Sequence, residues 1–211
     1  MTKIIPAILT ESFEDLQRQI RKIDGLFPYV QLDIMDGKFV HKISFNNVEK
    51  IPEIGTDLQY ELHLMVNDPV EEMKKWVKVK NVFRAIAHLE SPGEIEKAYE
   101  FAKDQNWEFG IAINPDTSIE KLTPHLDCID VVMFMTVYPG RQGASFQAKV
   151  LPKIEQYLKL EKKPKCEVDG GINKDTIHYF KNLSVDSLCI GSALMLAPDL
   201  EKAFLELNEL L

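Results

Sequence analysis

The strongest constraint on this chain is an alternation that runs along all of it. Short apolar runs rich in Val, Ile, Leu and Met are each followed by a segment whose apolar residues recur at helical spacing. Runs that are apolar throughout, rather than at every second residue, suit strands buried on both faces, as in a parallel sheet covered by helices. Eight such strands are expected, over 3–9, 29–35, 58–65, 83–89, 108–113, 129–136, 165–169 and 187–190. Between them, Ser12 stands where an N-cap belongs, Phe13, Leu16, Ile20 and Ile23 share a helical face, and Gly25 ends the segment. Asp68-Pro69 opens the next helix, with Val70, Met73 and Val77 as its expected inner face. Further helices are expected over 93–105, 118–122, 145–160, 174–181 and 198–211, while the link 38–52 has the weakest helical pattern.

Eight strand–helix cycles in 211 residues, with no internal linker, predict a single (β/α)8 TIM barrel over 1–211. The competing architecture, an open doubly wound sheet, carries a Gly-x-Gly-x-x-Gly turn after its first strand; here that strand ends in Pro6-Ala7-Ile8-Leu9-Thr10.

Composition removes several function classes. A net charge of −8 without clustered Lys and Arg excludes a general nucleic-acid surface. No run approaches the roughly 18 apolar residues of a membrane span, and the N-terminal apolar run is too short for a signal peptide. Cys128, Cys166 and Cys189 are far apart, each in apolar surroundings, and read as small core residues in a reducing compartment. The expected setting is the cytoplasm.

In a barrel the chemistry sits where the strands end, because the loops after them converge on one face. The polar exceptions in these strands gather there: Gln31, Asp33 and Asp36 on the second strand, Glu61 and His63 on the third, His88 on the fourth, Asn114 after the fifth and Asp169 on the seventh. Alternate strand residues share a face, so Gln31, Asp33 and Met35 point together, as do Glu61, His63 and Met65, and Glu167 and Asp169. Asp33 and Asp169 are therefore expected to face each other across one site, in an interior mouth that also holds Glu61, Glu167, His63 and several methionines. Each residue alone has a plainer role: a strand-end Asp caps turns, a lone His hydrogen-bonds within a core, and a Met packs.

An anion site is expected beside them. Gly170 and Gly171 after the seventh strand, and Gly191 and Ser192 after the eighth, place backbone N–H groups where this fold receives phosphate. The loop Tyr138-Pro139-Gly140-Arg141-Gln142-Gly143 after the sixth strand has the glycines of a closing flap, with Arg141 placed to pair with a phosphate. The expected partner is a small molecule that carries a phosphate.

Five ordered motifs carry a family resemblance. Leu32-Asp33-Ile34-Met35-Asp36-Gly37, Leu62-His63-Leu64-Met65, Met135-Thr136-Val137-Tyr138-Pro139-Gly140, Glu167-Val168-Asp169-Gly170-Gly171-Ile172 and Gly191-Ser192-Ala193 resemble those of ribulose-phosphate 3-epimerases, over nearly the whole chain. The resemblance implies a barrel of the ribulose-phosphate-binding type and an isomerase of the pentose phosphate pathway that interconverts D-ribulose 5-phosphate and D-xylulose 5-phosphate. It implies that Asp33 and Asp169 are acid and base on opposite faces of the substrate, that Met35, Met65 and Met135 line the pocket, and that the chain self-associates as a homo-oligomer.

Family members also hold a divalent metal, zinc, iron or manganese, through two histidines and the two aspartates. By this resemblance Asp33, His63 and Asp169 stand at three ligand positions and Gln31 at the fourth. An amide oxygen is a poorer partner for zinc or iron than imidazole, so affinity is expected to fall, toward a three-ligand or metal-free site. Ala7 replaces the family's serine, and Tyr138-Pro139-Gly140-Arg141-Gln142-Gly143 replaces its usual lid. These departures keep two alternatives open: an epimerase of a related ketose phosphate such as allulose 6-phosphate, and a weakly catalytic barrel that binds a phosphorylated ligand.

Overall fold

The computed structural model describes residues 2–140 and 143–211. Its strands are β1 (Lys3–Ile8), β2 (Tyr29–Met35), β3 (Gln59–Met65), β4 (Val82–His88), β5 (Glu108–Ile113), β6 (Val131–Met135), β7 (Lys165–Asp169) and β8 (Ser187–Ile190). Each pairs in parallel with its sequence neighbours and β8 returns to β1, so the sheet closes as a (β/α)8 barrel. The apolar runs are explained by this closure. Strand β6, Val-Val-Met-Phe-Met, is buried at every position, because one face packs on helices and the other fills the barrel.

Helix α1 (Phe13–Ile23) buries Leu16, Ile20 and Ile23, and the Ser12 side chain accepts from the Asp15 N–H. Helix α2 (Pro69–Trp76) is capped in the same way by Asp68. Its inner face differs from the expected one: Met73 and Trp76 are buried, while Val77 lies past the last turn and is 46% exposed. Pro69 at the helix start sets this phase, since one turn on from Met73 falls at Trp76.

Helices α3 (Ile95–Asp104), α4 (Leu151–Leu158), α5 (Ser192–Met195) and α6 (Leu200–Glu209) complete the set. Two expected helices shrink to single 3-10 turns, Ile119–Leu122 and Ile177–Phe180. In each, two apolar residues three apart cover the sheet, and one tight turn achieves that. The region expected as one helix over 145–160 begins as a 3-10 turn, Ala148–Val150, and becomes α-helical at Leu151, where Pro152 fits the first turn. The link 38–52 runs into a 3-10 helix, Val48–Ile54, that stops at Gly55 in the left-handed region.

Cys166 and Cys189 are buried, but Cys128 is exposed. Strand β6 starts at Val131, not 129, and Cys128 lies in the surface loop before it. Among the described residues no helix is long and apolar enough to cross a membrane.

Candidate active site

Register along the barrel places the polar residues in two tiers. On β2 and β3, Gln31 pairs with Glu61 and Asp33 with His63. On β7 and β8, Glu167 pairs with Ser187 and Asp169 with Cys189. The upper tier gathers Asp33, His63 and Asp169 around the fully buried amide of Gln31. Gln31 Nε2 donates to Asp33 Oδ1 at 2.8 Å and to Asp169 Oδ2 at 3.1 Å. His63 Nδ1 lies 3.0 Å from Asp33 Oδ1 and 3.3 Å from Asp169 Oδ2. Among the described residues, Asp33 Oδ2 and Asp169 Oδ1 have no hydrogen-bond donor, so each carboxyl keeps one oxygen for a ligand.

The imidazole between these carboxylates belongs to a longer chain. Burial alone would lower the His63 pKa, but hydrogen bonds to Asp169 and Asp33 outweigh it and carry it up to about 10. His63 Nε2 faces His88 Nε2 at 2.9 Å, and His88 Nδ1 faces Glu90 Oε2 at 3.4 Å. Burial pulls the His88 pKa down to about 4, so at neutral pH His88 is neutral and accepts from protonated His63. Glu90 in turn accepts from the Asn114 N–H and the Thr117 hydroxyl.

Above this chain opens a cavity bordered by Asp33, His63, Met65, Met135 and Asp169 and by the turn residues Gly140, Gly143, Gly170, Gly171, Gly191 and Ser192. Met35 is buried and does not border it. Arg141 lies outside the described residues. The turn after β7 is held by Thr136, whose N–H donates to the Asp169 carbonyl at 2.7 Å and whose hydroxyl donates to the Gly170 carbonyl at 2.5 Å. Gly170 has φ 115° there, and a Cβ on it would meet Val137 Cγ2 at 2.4 Å, so only glycine fits. Asp36 does not enter the cavity; it accepts from the backbone N–H groups of Lys38, Phe39 and Asn67 and fixes the loop after β2.

Residues 3–195 match the sequence model of the ribulose-phosphate 3 epimerase family. The chain belongs to the ribulose-phosphate 3-epimerase family. Ribulose-phosphate 3-epimerase of Bacillus subtilis is 32% identical over 99% of both chains. That of Chlamydia pneumoniae is 34% identical over 92% of this chain and 88% of its own. In fold alone, 3-keto-L-gulonate-6-phosphate decarboxylase of Vibrio cholerae superimposes with a TM-score of 0.74 at 14% identity, over 99% of this chain and 96% of the other. The family is one of isomerases that act on a sugar phosphate.

The lower tier corrects one expectation for this family member. Glu61 and Glu167 do not stand at the mouth; they lie one strand step beneath it, fully buried. Arg84 Nη1 reaches Glu61 Oε2 at 2.6 Å and Glu167 Oε2 at 3.2 Å, and the Ser187 hydroxyl donates to Glu167 Oε2 at 2.5 Å. Burial, then the Glu167 carboxylate, hold the Glu61 pKa well above its ordinary value against the pull of Arg84.

The donors of the upper tier fit a divalent cation. Two carboxylate oxygens and one imidazole nitrogen, from Asp33, Asp169 and His63, lie within 4.8 Å of one another, and they are ligand types of transition-metal and manganese sites. Ala7, Cys189 and Asn173 also border the cavity, and His88 and Glu90 extend the hydrogen-bonded chain. Of these, the sequence marked His88, as a polar residue at a strand end, and Ala7, as the position of the family's serine; Glu90 was not singled out, although an acid two residues past His88 was the available signal.

Proposed function

We propose that Asp33 and Asp169 interconvert D-ribulose 5-phosphate and D-xylulose 5-phosphate by proton transfer at C3. One carboxylate takes the C3 proton, the C–H electron pair becomes the C2=C3 bond of an enediolate, and the C2 oxygen gains the charge. The opposite carboxylic acid then gives its proton to the other face of C3 and the ketone re-forms, leaving the two groups with their protonation exchanged. What carries this reading is the pair of carboxyl oxygens left without protein donors at one cavity, while their twins are tied to Gln31 and His63.

His63 and Gln31 hold the two carboxyls at fixed separation, and the imidazolium offsets negative charge as the enediolate forms. To hold a divalent cation with Asp33 and Asp169, His63 would have to give up its Nδ1 proton, and the cation would then supply, in place of the imidazolium, positive charge to the enediolate oxygen. Met65 and Met135 furnish an apolar wall that limits water near the reacting carbon. The backbone at Gly170, Gly171, Gly191 and Ser192 supports a phosphate at the other end of the cavity.

Incubation with D-ribulose 5-phosphate in heavy water tests the reading. Deuterium at C3 of recovered substrate and product is expected; no incorporation, with or without added divalent metal, would sink it. Because Ala7 borders the cavity with a side chain of one carbon, D-allulose 6-phosphate is the competing substrate, and the ratio of kcat/KM for the two decides.

A further inference from the structure

Proton transfer does not account for all of Gln31. Its amide nitrogen stands 2.8 Å from Asp33 Oδ1, 3.1 Å from Asp169 Oδ2 and 3.4 Å from His63 Nδ1. Those are spacings of adjacent ligands on one ion: donors about 2.1 Å from a metal lie about 3.0 Å apart in an octahedron and about 3.4 Å apart in a tetrahedron. The other amide atom, Oε1, is buried and has no hydrogen-bond partner among the described residues. A half-turn about the Cγ–Cδ bond exchanges the two atoms without changing the shape of the side chain. With no ion present, the nitrogen belongs inward, because it donates to two carboxylates. With a cation between those carboxylates, the oxygen belongs inward.

We propose that Gln31 ligates a divalent cation through its amide oxygen, and that it biases the site toward hard, oxygen-preferring ions such as Mn²⁺ and away from Zn²⁺. The inference rests on reading Asp33, His63 and Asp169 as ligands. With Gln31 the donor set is three oxygens and one nitrogen, the chemistry of manganese and magnesium sites, whereas zinc favours nitrogen and sulfur. The imidazole is already turned for the task, since its far nitrogen is held by His88. The buried acids below do not compete for the ion: Glu61, Glu167 and Cys189 also converge, but the Arg84 guanidinium already bridges the two carboxyls.

The test measures binding rather than turnover. Wild type, Gln31→Leu and Gln31→His are stripped with chelator, and their dissociation constants for Mn²⁺ and Zn²⁺ are measured by competition with a metal-binding dye and, for Mn²⁺, by electron paramagnetic resonance. Gln31→Leu should weaken Mn²⁺ by at least about tenfold, since even loss of an outer-shell partner costs that much. Gln31→His should tighten Zn²⁺ by at least about tenfold more than it tightens Mn²⁺. An amide that merely bonds the carboxylates competes with the ion, so unchanged or tighter Mn²⁺ binding in the folded Gln31→Leu variant overturns the proposal. Equal shifts for both ions in Gln31→His overturn it too, should the leucine variant fail to fold. Wild type that binds neither ion also overturns it, and deuterium incorporation at C3 by that same ion-free protein would leave the proton-transfer reading standing.

Discussion

Two clusters of buried polar side chains share the barrel interior, one strand step apart on β3 and β7, and they handle buried charge in opposite ways. In the lower one, Arg84 lies between Glu61 and Glu167, Ser187 adds a donor, and neither glutamate side chain has any exposed surface. In the upper one, Asp33 and Asp169 keep 15% and 12% of their side-chain surface, share one imidazole and one amide, and each leaves an oxygen without a protein donor. The lower cluster is closed around a full cation of its own, with Glu167 Oε1 buried and left without a hydrogen-bond partner among the described residues. The upper cluster is only partly compensated and opens on a cavity, which is the condition for acting on a ligand. Two residues along β7 separate Glu167, buried against Arg84, from Asp169, which borders the cavity.

Substitutions can break that division. The largest effect is expected in the upper tier: Asp33→Asn and Asp169→Asn should each lower interconversion by about 10²–10⁴-fold, the usual contribution of a positioned acid or base. Thermal denaturation should show either variant close to wild type in stability. If steady-state assays found near-normal turnover in either one, the two-carboxyl account would fail.

Arg84→Met reverses the pattern. Removing the cation leaves Glu61 and Glu167 buried without it, a change that costs about 3–5 kcal/mol in comparable pairs. At about 2–4 °C per kcal/mol for a chain of this size, Tm should drop by roughly 10 °C while KM at permissive temperature stays near wild type. A stable Arg84→Met protein with altered KM would mean that the tiers are not separable.

The smallest expected effect is a dependence on pH. Glu61 has a folded pKa raised above its unfolded value, so the folded chain retains a proton that the unfolded chain releases. Its contribution to stability is greatest below the unfolded value, about 4.5, and is lost as pH climbs from there toward the raised folded value. Glu61→Gln imitates the protonated acid, accepting from Arg84 and donating to Glu167. Melting curves should show a gain of about 3 °C, near 1 kcal/mol, at pH 8 and little at pH 5. A gain that was equal at both pH values would contradict the raised Glu61 pKa.

Much of this was legible in the sequence, for reasons that also mark where legibility stops. Runs apolar on both faces had to be strands buried on both sides, and eight of them with helical segments between had few ways to close. Alternation along 31–35 and 165–169 gave the facing of Asp33 and Asp169 correctly, because facing follows from a period of two. Depth does not. Glu61 shares a face with His63, and Glu167 with Asp169, so all four read as mouth residues; order along the strand puts each glutamate one step lower, but where the cavity ends and whether the two glutamates meet depend on strand stagger that no single strand encodes. Arg84, mid-strand among apolar residues, gave no hint that it would bridge two acids from β3 and β7. The helical signal failed where the element was shortest, at Ile119–Leu122 and Ile177–Phe180, since two apolar residues three apart fit one tight turn as well as a helix.

The central claim is that one carboxyl serves each face of C3. Incubating Asp33→Asn and Asp169→Asn separately with each pure epimer in heavy water addresses it directly. Each variant should exchange the C3 hydrogen of one epimer only, a different epimer for each variant, with little interconversion. A variant that exchanged both epimers, or converted one into the other at a normal rate, would contradict it.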